Sequence, residues 1–331
     1  MEAVLAWSWE RTPADLRQAA AALTPGRGGL AVADAAALVG ADGLSLLRRL
    51  TQWGWALHTD GRIRMLDPVR QFLEARIDVE AAQARHRGRF FELLQARADD
   101  LVCGRAHAFV RSEWGNVGAA IDSGFATRDP STVELVLLWA PVLFSRATTA
   151  DALRVLDSAV ALAEGRQLGD VLTARAKLWH HGGSTDAAEL DLARAEEVGT
   201  RHRGLWFLRR GALHQTRGET ARAIAMYRKA SEMLSGPYRS DAVIGLAQCL
   251  MDDGRPEEAR QLLLPALARA RIEGGPRTVL YALGTLAFVY TTLDRFEDAR
   301  EVSEEALRLC EEVGNTQNTA QIHNNLGNIH L

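Results

Sequence analysis

Small residues recur along the second half of the chain with a spacing that predicts paired helices. Five pairs of alanines lie seven residues apart, and the first members of successive pairs are 36, 35, 36 and 40 residues apart. Because two helical turns take about seven residues, each pair lies on one face of one helix. A short turn and another helical stretch precede each pair, so the predicted unit is helix, turn, helix. The pairs are Ala152/Ala159, Ala188/Ala195, Ala223/Ala230, Ala259/Ala266 and Ala299/Ala306.

This unit resembles the tetratricopeptide repeat (TPR), in which helix pairs stack into a solenoid. The match is strongest at Leu283, Leu286, Ala287, Tyr290, Phe296, Ala299 and Ala306. The resemblance implies an all-α fold class, with a TPR superhelix of five repeats over residues 131–331 and a kink at Pro141 in its first helix. A sixth repeat begins at Thr319 and stops after one helix. Since a solenoid needs a polar cap, we expect a longer protein, or self-association through this open end.

The first 78 residues carry a different pattern, which predicts a winged helix. Thr12 followed by Pro13 is typical of a helix start, with Thr12 as the capping residue. Two short helical stretches follow, at residues 33–39 and 44–52. The pair Asp60-Gly61 between two short apolar segments then predicts a β-hairpin, the small wing of this domain. Pro68 opens a closing helix, and residues 79–130 are predicted to form a helical linker.

Several short strings in this half of the chain, taken in order, resemble bacterial STAND-type signalling ATPases, the NB-ARC-like regulators that couple a nucleotide switch to a repeat-built sensor. The strings correspond to their winged helix and to the linker helix before their repeats. They are Trp7-Ser8-Trp9-Glu10, Arg27-Gly28-Gly29, the run from Arg64 to Phe72, and Glu113-Trp114-Gly115-Asn116. The resemblance implies a sensor and interaction region in such a regulator.

The nucleotide chemistry of that family is not matched in this sequence. Its Met-His-Asp triplet, which senses ADP, corresponds here to Met65, Leu66 and Asp67. Leucine cannot donate a hydrogen bond to a phosphate, and Asp67 has an alternative role as a cap for the helix that Pro68 begins. The chain has only two lysines, Lys177 and Lys229, and neither follows a phosphate-binding loop. We therefore expect no P-loop module, no enzymatic activity and no cofactor.

The charge balance makes DNA an unlikely partner. The whole chain has a net charge of −3, and residues 1–78 hold nine arginines and nine acidic residues. The candidate recognition helix carries only Arg48 and Arg49, and the wing adds Arg62 and Arg64. Binding to phosphates normally requires a clear basic excess. The alternative function is that of a transcription regulator whose winged helix contacts DNA.

The sequence also indicates the cellular compartment of the protein. The longest apolar run, residues 135–144, is too short to span a membrane and contains Pro141. The N-terminus has no basic segment typical of a signal peptide. The three cysteines, Cys103, Cys249 and Cys310, are scattered, as in a reducing compartment. These features predict a cytoplasmic protein without a membrane partner.

Repeat position identifies candidate residues for a ligand groove. The first helix of each tetratricopeptide repeat lines the concave side, and polar side chains there are predicted to bind a protein, a peptide or an effector. The alternative is that they cover a solvated surface. Adjacent His180 and His181 diverge around a helix, so no metal site is expected. The groove candidates are Lys177, His180, Gln215, Gln248, Tyr281, Asn324 and Asn328.

Overall fold

The computed structural model describes residues 2–273 and 275–313, which are mostly helical with one small sheet. The first nine helices are α1 (Glu2–Arg11), α2 (Ala14–Leu23), α3 (Val32–Val39), α4 (Gly43–Gln52), α5 (Asp67–Glu74), α6 (Glu80–Gln95), α7 (Ala98–Cys103), α8 (His107–Ala126) and α9 (Ser131–Arg146). They are followed by α10 (Thr149–Leu162), α11 (Gly165–His181), α12 (Thr185–Val198), α13 (Arg203–Thr216), α14 (Thr220–Met233), α15 (Gly236–Asp252), α16 (Pro256–Glu273), α17 (Pro276–Thr292) and α18 (Phe296–Val313). The strands are β1 (Leu30–Ala31), β2 (Leu57–Thr59) and β3 (Arg62–Arg64).

The chain divides into two units. Among the described residues, the first unit comprises 2–97 together with 107–139, and the second comprises 98–106 together with 140–273 and 275–313. The predicted winged-helix segment and most of the predicted linker therefore belong to one unit. Helix α9 continues through Pro141, and the division falls within it, between Trp139 and Ala140.

In the first unit, the predicted hairpin is confirmed. Strands β2 and β3 pair antiparallel, and the two residues between them, Asp60 and Gly61, have φ angles of 52° and 70°. Two positive φ angles define the type I′ turn, whose twist matches that of the flanking strands. The short strand β1 adds a third member, so that the strand order is β1-β3-β2.

The predicted capping role of Thr12 is wrong. Its hydroxyl donates a hydrogen bond to the carbonyl oxygen of Ser8 (2.9 Å), at the end of the unpredicted helix α1. The same hydroxyl accepts a hydrogen bond from the indole nitrogen of Trp55 (2.9 Å), while Pro13 occupies the cap position of α2. A buried indole N–H needs an acceptor, and Thr12 provides it.

Two of the strings singled out in the sequence meet in a buried polar network of the first unit. Arg62 donates hydrogen bonds to both carboxylate oxygens of Glu113 (2.7 and 3.1 Å) and to the carbonyl oxygen of Gly29 (2.7 Å). Asn116 donates to Gly29 (2.9 Å) and Glu113 (2.7 Å) and accepts from the backbone N–H of Arg27 (2.6 Å). Glu113 and Asn116 are buried. The network therefore fastens the hairpin and the glycine-containing loop to α8.

The second unit is built from stacked helix pairs, namely α11/α12, α13/α14, α15/α16 and α17/α18. All ten alanines of the predicted pairs are at most 1% exposed, including Ala152 and Ala159 of α10, which packs against α11. A methyl side chain at each contact lets the neighbouring helix approach closely. The repeat register expected from the alanine spacing is confirmed.

The turns inside the helix pairs share a left-handed residue. Gly183, Gly218 and Gly254 have φ angles of 79°, 72° and 73° at equivalent places. In the last pair Asp294 takes this place with a φ angle of 56°. Aspartate tolerates this conformation better than most residues with a side chain, so the turn of the last pair can keep the same form. The longer spacing between the last two alanine pairs does not change this turn.

Helix α7 belongs to the second unit, where it packs against α15 and α17. Its side chains Leu101 and Cys103 are buried. A Cβ atom at Gly275, just before α17, would lie 1.7 Å from the carbonyl oxygen of Cys103. Only glycine fits this contact, and it fixes the beginning of α17.

Asp170 of α11 connects one repeat to the next. Its carboxylate accepts hydrogen bonds from the backbone N–H groups of Arg201 (3.1 Å) and His202 (3.2 Å) and from the side chains of Thr200 and Arg201. Burial by itself would raise the pKa of Asp170, but the hydrogen bonds from His202, Thr200 and Arg201 outweigh it and lower the pKa to about 2.

We expect Asp170→Asn to destabilise the second unit in a pH-dependent way. The folded-state pKa lies below the unfolded value, so the carboxylate stabilises the fold above about pH 4, and this contribution is lost as the pH falls towards about 2. The variant should lose about 1–3 kcal/mol at about pH 7. Urea unfolding at about pH 7 and about pH 3 measures the difference, which should shrink at the lower pH; a constant difference would contradict the ionic role.

We also expect Ala299→Leu to destabilise the last helix pair. Overpacking a close helix contact costs about 1–3 kcal/mol. Glu304→Leu, on the exposed side of the same helix, is the control and should stay within about 0.5 kcal/mol of the wild type. Thermal unfolding compares the two variants, and equal melting temperatures would show that the assigned register is wrong.

Candidate ligand-binding cleft

A cleft of about 270 Å³ lies in the second unit. Helices α11, α13, α15 and α17, the first helices of four successive pairs, supply most of its lining, and Ala188, Leu192 and Tyr227 of the second helices complete it. Small residues keep it open, among them Ala176, Ala212 and Gly245. The cleft therefore forms because first and second helices alternate along the chain, which places the four first helices on the same side of the repeats.

The five described groove candidates all line this one cleft. They are Lys177, His180, Gln215, Gln248 and Tyr281, spread over four helices. Asn324 and Asn328 lie outside the described residues, as does the expected open end beyond Thr319. That these side chains bind a ligand stays a prediction.

Two of the candidates belong to a hydrogen-bonded ladder across the cleft. The hydroxyl of Tyr227 donates to Gln215 Oε1 (2.9 Å), and Gln215 Nε2 donates to Gln248 Oε1 (3.4 Å). Gln248 Nε2 then donates to the hydroxyl of Thr285 (3.4 Å), which donates to the carbonyl oxygen of Tyr281 (2.9 Å). A side-chain amide has two N–H donors, so each glutamine keeps one donor for another partner. The ladder thus orients these amides.

Tyr227 is held in place by two glycines. A Cβ atom at Gly211 or at Gly245 would come within 2.9 or 2.5 Å of the tyrosine ring. The ring therefore fits between α13 and α15 because neither glycine has a side chain. Burial raises the pKa of Tyr227, so its hydroxyl remains a donor at neutral pH.

The cleft also contains charged residues that the sequence analysis did not single out. Arg209, Asp241 and Arg277 line it together with Lys177. Arg277 lies 3.7 Å from the carboxylate of Asp241, and the guanidinium carbon is 6.0 Å from the ring of Tyr281. The amino group of Lys177 lies 4.4 Å from the ring centre of Phe144. The four-residue spacing of Arg277 and Tyr281 and the seven-residue spacing of Asp241 and Gln248 are helical signals that could have identified Arg277 and Asp241. Nothing comparable marks Arg209.

Both adjacent histidines line the cleft, although they were expected to diverge. The Nε2 atom of His180 lies 2.6 Å from the hydroxyl of Thr216, and the two histidine rings pack edge to face. Burial lowers the pKa of both rings, to about 4 for His181, where the charge of Lys177 adds to the effect. They are therefore neutral at physiological pH. Among the residues that the structure describes, no group of three or more metal-binding side chains could hold a metal ion.

The residues that match the nucleotide-sensing triplet lie before and at the start of α5 in the first unit. Met65 is buried, Leu66 is exposed, and Asp67 pairs with Arg70. Arg70 also donates to the carbonyl oxygen of Met65 (3.1 Å). The alternative that Asp67 caps the helix is wrong, because Leu66 occupies the cap position and no side chain makes the capping hydrogen bond. Asp67 instead forms an ion pair within the first turn.

Two of the four arginines considered for DNA contact are engaged within the first unit. Arg62 pairs with Glu113, as described above, and Arg49 pairs with Asp15. Arg48 and Arg64 are exposed. The cationic surface of this unit is therefore smaller than its number of arginines suggests.

Comparison with known proteins identifies the repeats. The tetratricopeptide-repeat family profile matches residues 239–312 and 278–331, and a search of curated proteins found no match. No helix in the described ranges has the length and hydrophobicity required to cross a membrane. The chain thus contains tetratricopeptide repeats, and the first matched range includes α16 and α17 and most of α15 and α18.

Several solved structures have a similar fold. The STAND protein with a tetratricopeptide-repeat sensor from Pyrococcus horikoshii is 14% identical over 96% of this chain and 54% of that chain, with a TM-score of 0.61. A Rap protein complexed with competence and sporulation factor is 15% identical over 76% and 71%, with a TM-score of 0.55. The APC/C hetero-tetramer Cut9–Hcn1 is 14% identical over 90% and 56%, with a TM-score of 0.51. At these identities the similarity concerns the fold, and the chain spans about half the length of the STAND structure.

Proposed function

We propose that this chain is the non-enzymatic sensor region of a STAND-type signalling regulator in the cytoplasm, and that its repeats bind a peptide or a peptide segment of a protein. The observation that carries the proposal is the cleft lined by the first helices of four successive repeats, where five polar or aromatic groove candidates converge. The first unit, with its helices and three-stranded sheet, is proposed to be the winged helix of such a regulator.

The character of the cleft favours a peptide over a small molecule. The volume of the cleft, about 270 Å³, lies at the lower end of the about 300–1,000 Å³ that is usual for small-molecule pockets. That volume suits one or two side chains of a longer ligand. The oriented amides of Gln215 and Gln248 can donate to peptide carbonyl groups, whatever the side chains of the ligand.

Exposed aromatic residues extend the same surface along α17. Tyr281 and Phe288 are 51% and 58% exposed, and their seven-residue spacing places them on one face of the helix. Aromatic side chains of this kind contribute large contact areas in protein interfaces. They would continue the contact beyond the cleft. The similar Rap structure contains a bound competence and sporulation factor, which fits a ligand-binding role for such repeats.

The alternative, DNA binding by the first unit, gains no support from the ion pairs of Arg62 and Arg49. An ATP-driven switch would require a phosphate-binding loop, and neither Lys177 nor Lys229 follows one. The proposal therefore places the activity of this chain in recognition, with any nucleotide chemistry assigned to other parts of a longer protein.

The peptide-binding proposal is tested by selecting a displayed library of random peptides with free C-termini on the immobilised full chain. Ala212 lines the cleft, and Ala212→Trp should fill it and abolish retention of the selected peptides. Ala221→Trp places the same side chain on the exposed side of α14 and should leave retention unchanged. Fluorescence anisotropy of the synthetic peptides measures both effects.

Thermal unfolding of the two tryptophan variants controls for folding. If no peptide is enriched, or if Ala212→Trp retains the peptides as well as Ala221→Trp does, the cleft is not a peptide site. If a site elsewhere in the chain holds them, they would still bind to both variants, and the proposal would fail in the same way.

A further inference from the structure

The cleft is lined by more basic than acidic side chains, whereas the whole chain has slightly more acidic residues. Three cations, Lys177, Arg209 and Arg277, face one acid, Asp241, within the described lining. The whole chain, by contrast, has a net charge of −3. The two histidines add no positive charge at neutral pH, because burial lowers their pKa. The cleft is thus a basic site in a slightly acidic protein.

Arg209 lies near one acid, Asp241, in the part of the chain that the structure describes, but it forms no ion pair with it. It makes no hydrogen bond, ion pair or ring contact there, although its side chain is half-buried. Arg175, on the neighbouring first helix, shows the usual arrangement, since it pairs with both Asp157 (2.7 Å) and Asp191 (2.6 Å). A guanidinium carries five N–H donors, and those of Arg209 make no hydrogen bond to an acceptor among the described residues.

The other two cations are only weakly neutralised. Lys177 contacts the ring of Phe144, and Arg277 lies 3.7 Å from Asp241, which is too long for a strong hydrogen bond. Burial lowers the pKa of Lys177 well below its usual value, and the neighbouring charges of Arg209 and Arg277 lower it further. Like charges gathered in a cleft around a single acid are more typical of a functional site than of a stable core.

We infer that the cleft binds a carboxylate of the peptide, held by Arg209 with Lys177 and Arg277 beside it. This inference rests on the proposed function and specifies its ligand. A guanidinium fork matches a carboxylate in a two-point hydrogen bond, and the cleft volume suits a single acidic side chain. The neighbouring donors of Gln215 and Gln248 are suited to the backbone of the same peptide. An Asp or Glu side chain is the expected source, and the C-terminal carboxylate is the other source with the same chemistry.

The test uses the peptides selected on the wild-type chain. We expect them to be enriched in Asp or Glu at one position relative to the input library. Arg209→Met should weaken their binding about 10-fold or more, because a charge-assisted hydrogen bond contributes about 1.5–3 kcal/mol. Arg222→Met is the matched control, since Arg222 lies on α14 outside the cleft and is 71% exposed. It should change the affinity less than about twofold.

Two changes in the peptide identify the source of the carboxylate. Replacing the enriched acidic residue by its amide should cause the same loss as Arg209→Met and no further loss in that variant. Blocking the free C-terminus as an amide should have little effect. If the C-terminal amide alone abolishes binding, the terminal carboxylate is the anchor and the side-chain assignment is wrong. A basic residue at the enriched position should bind Arg209→Glu better than it binds the wild type.

Thermal unfolding without ligand separates recognition from structure. Because Arg209 makes no hydrogen bond or ion pair within residues 2–273 and 275–313 and lies near other cations, Arg209→Met should leave the melting temperature unchanged or raise it. A clear decrease would show that Arg209 stabilises the fold and would overturn the inference. In one further outcome the selected peptides depend on the open cleft and yet show no enrichment of acidic residues, and in another they bind Arg209→Met as well as the wild type. Either result would overturn this inference and leave the proposed peptide site intact. If no cleft-dependent peptide is found, the proposed function fails, and this inference fails with it.

Discussion

The structure of the second unit depends on close contacts between helices at buried alanines. All ten alanines of the five pairs are at most 1% exposed, and each lies where a neighbouring helix passes. A larger side chain at these places would push the helices apart, because protein interiors are packed to near-crystalline density. The contacts repeat at nearly constant intervals, so each pair stacks on the previous one in the same way. The cleft exists because this stacking places four first helices side by side.

Polar side chains between the repeats differ from those in the cleft in how many hydrogen bonds they make. Between repeats, polar groups are satisfied: Asp170 accepts four hydrogen bonds or more from the segment before α13, and Arg175 pairs with two carboxylates. Inside the cleft, Gln215 and Gln248 are only partly engaged, and Arg209 has no partner among the described residues. Arginines without a partner elsewhere in the described repeats, such as Arg194 and Arg239, are exposed, whereas Arg209 is half-buried in the cleft.

In the first unit, by contrast, charged side chains join different parts of the fold. Glu113 and Asn116 are buried and tie the β-hairpin and the loop at Gly29 to α8 through Arg62. Breaking a buried, hydrogen-bonded network of this kind is costly, since each remaining group would lose its partner. The arginines of this unit therefore hold its parts together, which agrees with its equal numbers of arginines and acidic residues.

The sequence by itself determined the helix pairs of the repeats, their register and the β-hairpin. Alanine spacing predicted the helix pairs because helical periodicity is a local property, and Asp60-Gly61 predicted the hairpin turn because positive φ angles restrict the residues that fit. It also placed five groove candidates correctly on first helices, although their binding role remains a proposal. Only the tertiary structure decided which charges meet in the cleft. Arg209, Asp241 and Arg277 are more than 30 residues apart from one another, and the superhelical stacking that brings them together has no signature within any single helix. The same holds for Thr12, whose local sequence indicates a helix cap but whose hydroxyl serves Trp55, a residue brought close only by folding.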